Sequence, residues 1–186
     1  MKGIIVYKGK YNTTRQYAGW ISSALGIPAV MADQITGENL RIYDFVILGS
    51  SVYIGKLQIR NWLKQNAPAL LQKKIFMFVV CGTPPNDKEA QKKIISDNLS
   101  EELRNKSDIY FLRGRVIRKE LSTIDRMMLK MGSMMVRDKA ARKRMTQDFD
   151  GVKEENIFPL LNAIRNADLD QKANTRLSGA SCQIRK

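Results

Sequence analysis

The sequence contains no histidine. Its absence excludes histidine acid–base catalysis, Ser-His-Asp and Cys-His nucleophiles, and nearly every zinc site. The two cysteines, Cys81 and Cys182, show neither metal-ligand spacing nor a disulfide framework. The longest apolar run, Ile75 to Cys81, has the length of a buried strand, not of a membrane span. We therefore expect neither a metal site nor a membrane-spanning segment.

Positive charge is in large excess. Lys and Arg number 32 and Asp and Glu 18, which leaves a formal net charge of +14 on 186 residues. Such a balance indicates an anionic partner: nucleic acid, a membrane surface, or a phosphorylated or carboxylated ligand. The hydrophobic fraction of 44% is typical of a globular domain. No signal peptide precedes the first strand-like run, so we expect a cytoplasmic protein.

Apolar runs alternate with helical patterns along the chain. Strands are predicted at Lys2–Tyr7, Pro28–Ala32, Phe45–Leu48, Ile75–Val80 and Asp108–Leu112. Helices are predicted at Thr14–Leu25, after Ile59, at Asp87–Leu103 and at Val152–Ala167. This alternation predicts an α/β fold whose parallel sheet is covered on both faces. A ligand would then bind at the carboxyl ends of the strands.

Two segments exceed a minimal five-stranded domain. We predict one domain over residues 1–167, with an insertion at about 113–151 and a polar tail at 168–186. The tail has little to bury, so we expect disorder or a linker there, with Cys182 incidental.

The loop after the first strand, Lys8–Thr14, carries Gly9, Asn12 and two threonines. Free amides at a helix N-terminus bind phosphate, and lysines beside them add positive charge. An N-capped helix after a turn is an equally good interpretation. Neither a dinucleotide fingerprint nor a Walker A loop is present, because Gly49–Lys56 has the wrong spacing for the latter.

Two further loops follow strands three and four. In Gly49–Lys56, small residues would let a flat ligand approach and Tyr53 could stack on it, or the segment is an ordinary turn with a surface tyrosine. The segment Cys81–Asn86 would form one wall of a pocket, or it simply ends the strand. Cys81 is better explained as a small apolar residue at the strand end than as a nucleophile. A phosphoacceptor receiver domain is excluded, because Lys8 and Ser50 stand where it needs acidic residues.

One phosphate loop followed by two ring loops resembles the flavodoxin-like family, over Met1 to about Leu112 and the last helix. The resemblance implies the strand order 2-1-3-4-5 and the cofactor FMN. Its phosphate would lie on Gly9, Lys10, Tyr11, Asn12, Thr13 and Thr14. Its isoalloxazine ring would lie on Ser50, Ser51, Val52, Tyr53, Ile54, Gly55, Cys81, Gly82, Thr83 and Asn86. The family's small hydroxyl residues are replaced by Lys10 and Tyr11, and ordinary flavodoxins are acidic.

A closer resemblance is to the menaquinone-dependent protoporphyrinogen IX dehydrogenase branch, in porphyrin biosynthesis. It rests on Gly49–Gly55 and on Asp125-Arg126-Met127-Met128 within the basic insertion. The aromatic residues that the branch carries before the Asp-Arg pair are missing here. The resemblance implies oxidation of a porphyrinogen with a quinone as electron acceptor.

The insertion is basic and rich in methionine. Residues 113–144 include eleven Lys or Arg but only three acidic residues. Six of the nine methionines lie between residues 127 and 145. Ile124, Met128, Met131 and Met135 share one helix face, and Arg126, Lys130, Ser133 and Arg137 share another. We expect Arg126, Lys130, Met127 and Met131 to contact substrate or the cytoplasmic face of the membrane. Alternatively, the methionine face packs on the domain as extra core.

The first functional hypothesis is an FMN-dependent oxidoreductase between an organic donor and a quinone or respiratory acceptor. The alternative is a non-catalytic electron carrier for an acidic redox protein. A third is a flavin-free domain that adheres to membranes or RNA, although no nucleic-acid motif or interleaved aromatic residue supports nucleic acid. No side chain is assigned as catalytic acid or base; without histidine, Tyr53 or a lysine would serve.

Overall fold

A computed structural model describes residues 2–135, 142 and 147–169 of the chain. The strands of its main sheet are β1 (Gly3–Lys8), β2 (Ala29–Met31), β3 (Phe45–Tyr53), β4 (Lys56–Leu57), β5 (Lys74–Cys81) and β6 (Ser107–Arg113). Five of them run parallel in the order β2-β1-β3-β5-β6, and β4 pairs antiparallel with the end of β3. The predicted α/β fold is confirmed. The predicted strand order 2-1-3-4-5 is confirmed as well, because β4 was not among the five predicted strands, so that β5 and β6 are the predicted strands four and five.

Helices connect the parallel strands. They are α1 (Thr13–Leu25), α2 (Arg60–Leu70), α3 (Lys88–Ser96), α4 (Glu101–Lys106), α5 (Thr123–Met135) and α6 (158–169). Short 3₁₀ turns occupy Ala32–Gln34, Glu38–Ile42, Arg118–Glu120 and Glu154–Ile157. No helix in the described ranges has both the length and the apolarity needed to cross a membrane.

The sheet separates two hydrophobic cores. On one face, Val46 and Met77 pack with residues of α2, α3 and α4. On the other face, Ile47 and Phe76 pack with residues of α1 and α6. Since successive strand residues point to opposite faces, apolar runs without alternation produce a sheet that is buried on both sides.

The single helix predicted at Asp87–Leu103 is wrong, because the structure divides it into α3 and α4. Between them, the Asn98 side chain turns inward and bonds to the Leu57 amide at 2.9 Å and to the Gly55 carbonyl at 2.8 Å. The Ser100 hydroxyl then caps α4 by accepting from the Leu103 amide. The break therefore satisfies backbone groups around β4.

The closing helix predicted at Val152–Ala167 starts later than expected. Residues 154–157 form a 3₁₀ turn, and α6 runs over 158–169. Pro159 is thus in the first turn of α6, where its missing amide hydrogen removes no helical bond.

The insertion leaves and rejoins the domain through a small ribbon. Strands β7 (Arg115–Val116) and β8 (Phe149–Asp150) pair antiparallel, and Arg115 Nε lies 2.8 Å from Asp150 Oδ2. Helix α5 belongs to the segment between them. Residues 136–141, 143–146 and 170–186 lie outside the described residues, and with them Arg137, most of the predicted tail and Cys182.

Candidate functional site

A cavity of about 550 Å³ opens at the carboxyl ends of β1, β3 and β5, and the insertion helix α5 forms its outer wall. Its position agrees with the rule that parallel sheets bind ligands beyond their strand ends. The volume is in the range of small-molecule sites. Within the described residues, no group of His, Cys, Asp or Glu could hold a metal ion.

One end of the cavity is the N-terminus of α1. Asn12 adopts a left-handed backbone conformation, with φ of 52°, and no side chain caps the helix. The sequence was also compatible with a helix start capped by a side chain, and the structure shows no such cap. The Thr13 amide donates to the Tyr11 carbonyl, whereas the next two amides of the helix have no intrahelical acceptor and are available to an anion.

Two buried hydroxyl groups lie beside this helix end. Thr14 is 2% exposed, and neither its Oγ1 nor the Oγ of Ser51 has a hydrogen-bond partner among the described residues. A Cβ atom on Gly9 would overlap the Thr14 side chain and lie 3.4 Å from Ser51 Oγ. Glycine is thus required where the loop crosses both hydroxyls.

The loop after β3 presents Tyr53 to the cavity. Ile54 and Gly55 both have positive φ, 49° and 68°, and form the tight turn into β4. Ser50 is fully buried below the loop, where its Oγ accepts a hydrogen bond from the Ile59 amide. Ser50 therefore supports the loop instead of facing a ligand.

The loop after β5 forms the opposite wall. Burial raises the pKa of the Cys81 thiol above its ordinary value, so the thiol stays protonated at neutral pH. Arg113 donates hydrogen bonds to the carbonyls of Gly82 and Thr83, at 3.4 and 3.1 Å, and its guanidinium lies over the Phe149 ring. The base of the insertion thus holds this loop in place.

A buried acidic residue of α5 contacts both the loop after β1 and the loop after β3. Asp125 of α5 is 5% exposed, and its carboxylate oxygens lie 2.7 and 2.8 Å from Lys10 Nζ. The Tyr53 hydroxyl donates to the same carboxylate at 2.5 Å. The hydrogen bond to Asp125 raises the pKa of Lys10, whose ammonium also lies 4.0 Å from the centre of the Tyr53 ring.

Comparison with known proteins identifies the family. A family model described as "Flavodoxin domain" matches residues 4–143, well over half of the chain. The chain belongs to this family. No curated protein matches it.

Solved structures of flavodoxin type show a likeness in fold. Two-electron reduced flavodoxin from Megasphaera elsdenii is 17% identical, with a TM-score of 0.45 over 60% of this chain and 83% of that one. Oxidised flavodoxin 1 from Bacillus cereus is 17% identical, with a TM-score of 0.48 over 64% and 89%. An FMN-dependent NADH-azoreductase from Bacillus anthracis, in complex with FMN, is 7% identical, with a TM-score of 0.47 over 78% and 99%.

The cavity of this flavodoxin domain collects most of the residues expected from the sequence. Those that line it are Lys10, Tyr11, Thr13, Thr14, Ser51, Val52, Tyr53, Ile54, Cys81, Gly82 and Met131. Those outside its lining are Gly9, Asn12, Ser50, Gly55, Thr83, Asn86, Arg126, Met127 and Lys130. Gly9 and Asn12 determine the backbone path of the loop after β1, and Gly55 that of the turn after β3.

Of the wall that the insertion contributes, only Met131 was among the residues expected from the sequence. The unpredicted lining residues are Val80, Gly114, Arg115, Val116, Leu121, Asp125, Met128, Leu129 and Gly132. Asp125 stands within the quoted Asp-Arg-Met-Met run, but its partner Lys10 is 115 positions away. No local pattern links such a pair.

The methionine face of α5 does not add to the core of the flavodoxin domain, so that alternative is wrong. Of the four residues predicted on that face, Ile124, Met128 and Met131 are 66%, 40% and 59% exposed, and the side chain of Met135 lies outside the described residues. The buried side chains of the helix are instead polar, since Asp125 and Ser133 are 5% and 4% exposed. Ser133, expected on the charged face, turns inward, and its hydroxyl donates to the Lys130 carbonyl at 2.7 Å.

Proposed function

We propose that the chain binds FMN in this cavity and acts as an FMN-dependent oxidoreductase. The observation that carries the proposal is the pair of unpartnered buried hydroxyls, Thr14 Oγ1 and Ser51 Oγ, beside the uncapped N-terminus of α1. A buried hydroxyl without a hydrogen bond costs free energy, so such groups indicate a ligand that supplies acceptors.

The phosphate of FMN fits the end of the cavity at α1. Helix amides and the two hydroxyls would donate to its oxygens, and Gly9 lets the loop lie close to Thr14. The phosphate is dianionic or nearly so, and the net charge of +14 favours its approach.

The rest of the cavity suits a flat apolar ring. Val52, Ile54 and Val80 provide apolar surface, Tyr53 offers an aromatic face, and Gly82 leaves room for close approach. FMN would supply the redox chemistry, while the protein binds the ring, orients it and limits water access.

We further propose that the electron donor is an organic molecule that enters beside α5, with protoporphyrinogen IX as the candidate and a quinone as acceptor. Support comes from the Asp125–Met128 run, because this segment of the insertion borders the cavity. Arg126 and Lys130 are exposed on the same helix and would attract carboxylates of the donor.

The same helix also fits the surface of an anionic bilayer. Ile124, Met127 and Met134 are 66%, 57% and 67% exposed and share one face of α5, which Arg126 and Lys130 flank. Exposed apolar side chains with cationic neighbours are typical of helices that lie in a membrane interface. Peripheral attachment would bring the site to quinones dissolved in lipid.

The alternative function is that of a flavodoxin-type electron carrier for an acidic redox protein. The exposed Arg126 and Lys130 favour such a partner as well. A variant with residues 117–148 replaced by Asn-Gly separates the two functions, since Val116 and Phe149 are paired in β7–β8. A carrier keeps electron transfer to a soluble dye, whereas a porphyrinogen–quinone enzyme loses turnover while it still binds FMN.

The first experiment is the absorption spectrum of the purified protein, followed by titration with FMN and with riboflavin. We expect a yellow protein, or a colourless one that quenches added FMN fluorescence at a stoichiometry of one and binds riboflavin more weakly. A protein that changes neither the spectrum nor the fluorescence of FMN contradicts the proposed function.

A further inference from the structure

Helix α5 is attached to the domain through the side chains of the two predicted cofactor loops. Lys10 and Tyr53 bind the Asp125 carboxylate, and Tyr53 also contacts the Met128 sulfur at 3.8 Å. The Ser122 amide, just before the helix, donates to the Tyr11 hydroxyl at 3.5 Å. The polar attachments of α5 therefore lie at the rim of the cavity itself.

The Lys10 side chain is committed to contacts with α5 and with the loop after β3. Its ammonium is engaged by the Asp125 carboxylate and lies over the Tyr53 ring, which places it across the opening between the two loops. Lys10 is about one third exposed, whereas Asp125 is 5% exposed. While the pair is closed, Asp125 is shielded from water, so the attraction between the two charges is screened less than in an ordinary surface ion pair and holds α5 more firmly.

Apolar packing contributes less to the position of the helix. Ile124, Met127, Met131 and Met134 are more than half exposed, and Met128 is 40% exposed. At the other end of the connection, the ribbon β7–β8 is fixed by its backbone pairing and by the Arg115–Asp150 ion pair. A movement of α5 therefore requires the Lys10–Asp125 contact to open, while the base of the insertion stays in place.

We propose that Lys10 and Asp125, with Tyr53, form a latch that holds α5 across the mouth of the cavity, and that the ligand enters and leaves when this contact opens. The latch itself does not depend on the proposed function. Only the identification of the ligand as FMN rests on it. The latch differs from a direct phosphate role for Lys10, because a latch acts on every ligand of the cavity and a phosphate contact acts on FMN alone.

Hydrogen–deuterium exchange of the ligand-free protein tests the latch without any flavin. The variants are Lys10→Met and Asp125→Asn, with Lys10→Arg as the conservative change and Lys74→Met as the matched control. Lys74 forms a comparable ion pair with Asp108 at 2.7 Å, but on the exposed edge of the sheet. We expect amides of α5 to exchange about tenfold faster in both latch variants, with strands β3 and β5 unchanged.

In the same experiment, Lys10→Arg should restore slow exchange in α5, and Lys74→Met should leave it unchanged. Unchanged exchange in α5 for both Lys10→Met and Asp125→Asn overturns the latch. Faster exchange in the central strands of Asp125→Asn would mean a general loss of structure, and Lys10→Met, which changes the more exposed partner of the pair, then decides alone.

Dissociation rates of FMN and of riboflavin give the second test. We expect both ligands to leave about tenfold faster from Lys10→Met and from Asp125→Asn, with the double variant no faster than either single variant. Faster loss of FMN but not of riboflavin from Lys10→Met overturns the latch in favour of a phosphate contact. If the wild-type protein binds neither flavin, the proposed function fails, while the exchange experiment still tests the latch.

Discussion

The hydroxyl groups of Thr14 and Ser51 both face the point that a Cβ atom on Gly9 would occupy, although they come from α1 and β3. Neither hydroxyl has a partner among the described residues. Folding alone does not explain why both hydroxyls meet beside an uncapped helix end, because each of them is buried without a hydrogen bond, which costs free energy. Their convergence is explained by a ligand that accepts from both.

The first prediction concerns these two hydroxyls. Thr14→Val and Ser51→Ala should leave the ligand-free protein as stable as the wild type or up to about 1 kcal/mol more stable, because each removes an unpaired buried hydroxyl. Each should weaken FMN binding about tenfold, which corresponds to the loss of roughly 1.4 kcal/mol of hydrogen bonding. Urea unfolding and fluorescence titration measure the two effects.

Thr13→Val is the matched control for Thr14→Val. The Thr13 hydroxyl already donates to the Tyr11 carbonyl at 3.1 Å, so its removal should destabilise the ligand-free protein by about 1 kcal/mol. If Thr14→Val destabilises the protein as much as Thr13→Val and leaves FMN affinity unchanged, Thr14 has a structural role only.

The second prediction compares two glycines. Gly9→Ala places a methyl group on the Thr14 side chain, so we expect a loss of stability of about 1–3 kcal/mol and a loss of FMN binding. Gly19 lies inside α1, and a Cβ there would meet nothing within 4 Å. Gly19→Ala should therefore stabilise the protein by about 0.5–1 kcal/mol through its helix propensity.

Thermal unfolding with and without FMN measures both variants. A Gly9→Ala variant that is as stable as the wild type and binds FMN normally would contradict the close approach of the loop to Thr14 at Gly9. Gly19→Ala is the control, because it adds the same methyl group at a position where space is available.

Much of the fold could be predicted from the sequence, since the apolar runs at Phe45 and Ile75 indicate strands, and the run at Ile75 is long enough to indicate burial on both faces. The strand-end rule then assigned the three loops to one edge of the sheet, where the cavity indeed lies. The helix break at Asn98 was missed, because its side chain satisfies backbone groups of β4, 41 and 43 positions earlier in the chain.

Of the site, the sequence predicted the three loops that line the cavity, but not the way in which α5 packs against them. Helical periodicity indicates which residues of α5 share a face, but not which face meets the domain. It therefore does not decide whether the methionines lie in the core or on the surface. The pairing of Lys10 with Asp125 joins segments 115 positions apart, and it needs the folded chain to become visible.

The third prediction concerns the exposed face of α5. We expect the protein to sediment with anionic phospholipid vesicles at low salt and to leave neutral vesicles free. Binding should be lost at about 1 M salt, where the screening length is about 3 Å. Met127→Gln together with Met134→Gln should weaken the binding about tenfold, because their exposed apolar surface would no longer enter the interface.

Met31→Gln is the control for the vesicle experiment, since Met31 is 42% exposed on β2, away from the insertion. Equal losses from the Met31 variant and from the α5 double variant would show that α5 is not the contact surface. Binding to anionic vesicles that is unaffected by salt would likewise contradict an electrostatic contribution from Arg126 and Lys130.

The fourth prediction concerns the Cys81 thiol in the cavity wall. Because burial raises its pKa, the thiol should react with iodoacetamide more slowly than a free cysteine at neutral pH, and the rate should rise only above the ordinary thiol range. Because burial disfavours the thiolate, the fold is also more stable while the thiol stays protonated than after it ionises. That contribution is present below the unfolded-state pKa and is lost as the pH rises through the folded-state pKa.

The measurement uses a Cys182→Ser background, so that Cys81 is the single thiol, and follows alkylation by mass spectrometry between neutral and alkaline pH. Bound FMN should slow the reaction further, because Cys81 and Gly82 line the wall that the ring would cover. Rapid alkylation at neutral pH would mean that the thiolate is stabilised there, and would make Cys81 a candidate redox group. Alkylation at the same rate with and without bound FMN would place the ring away from this wall.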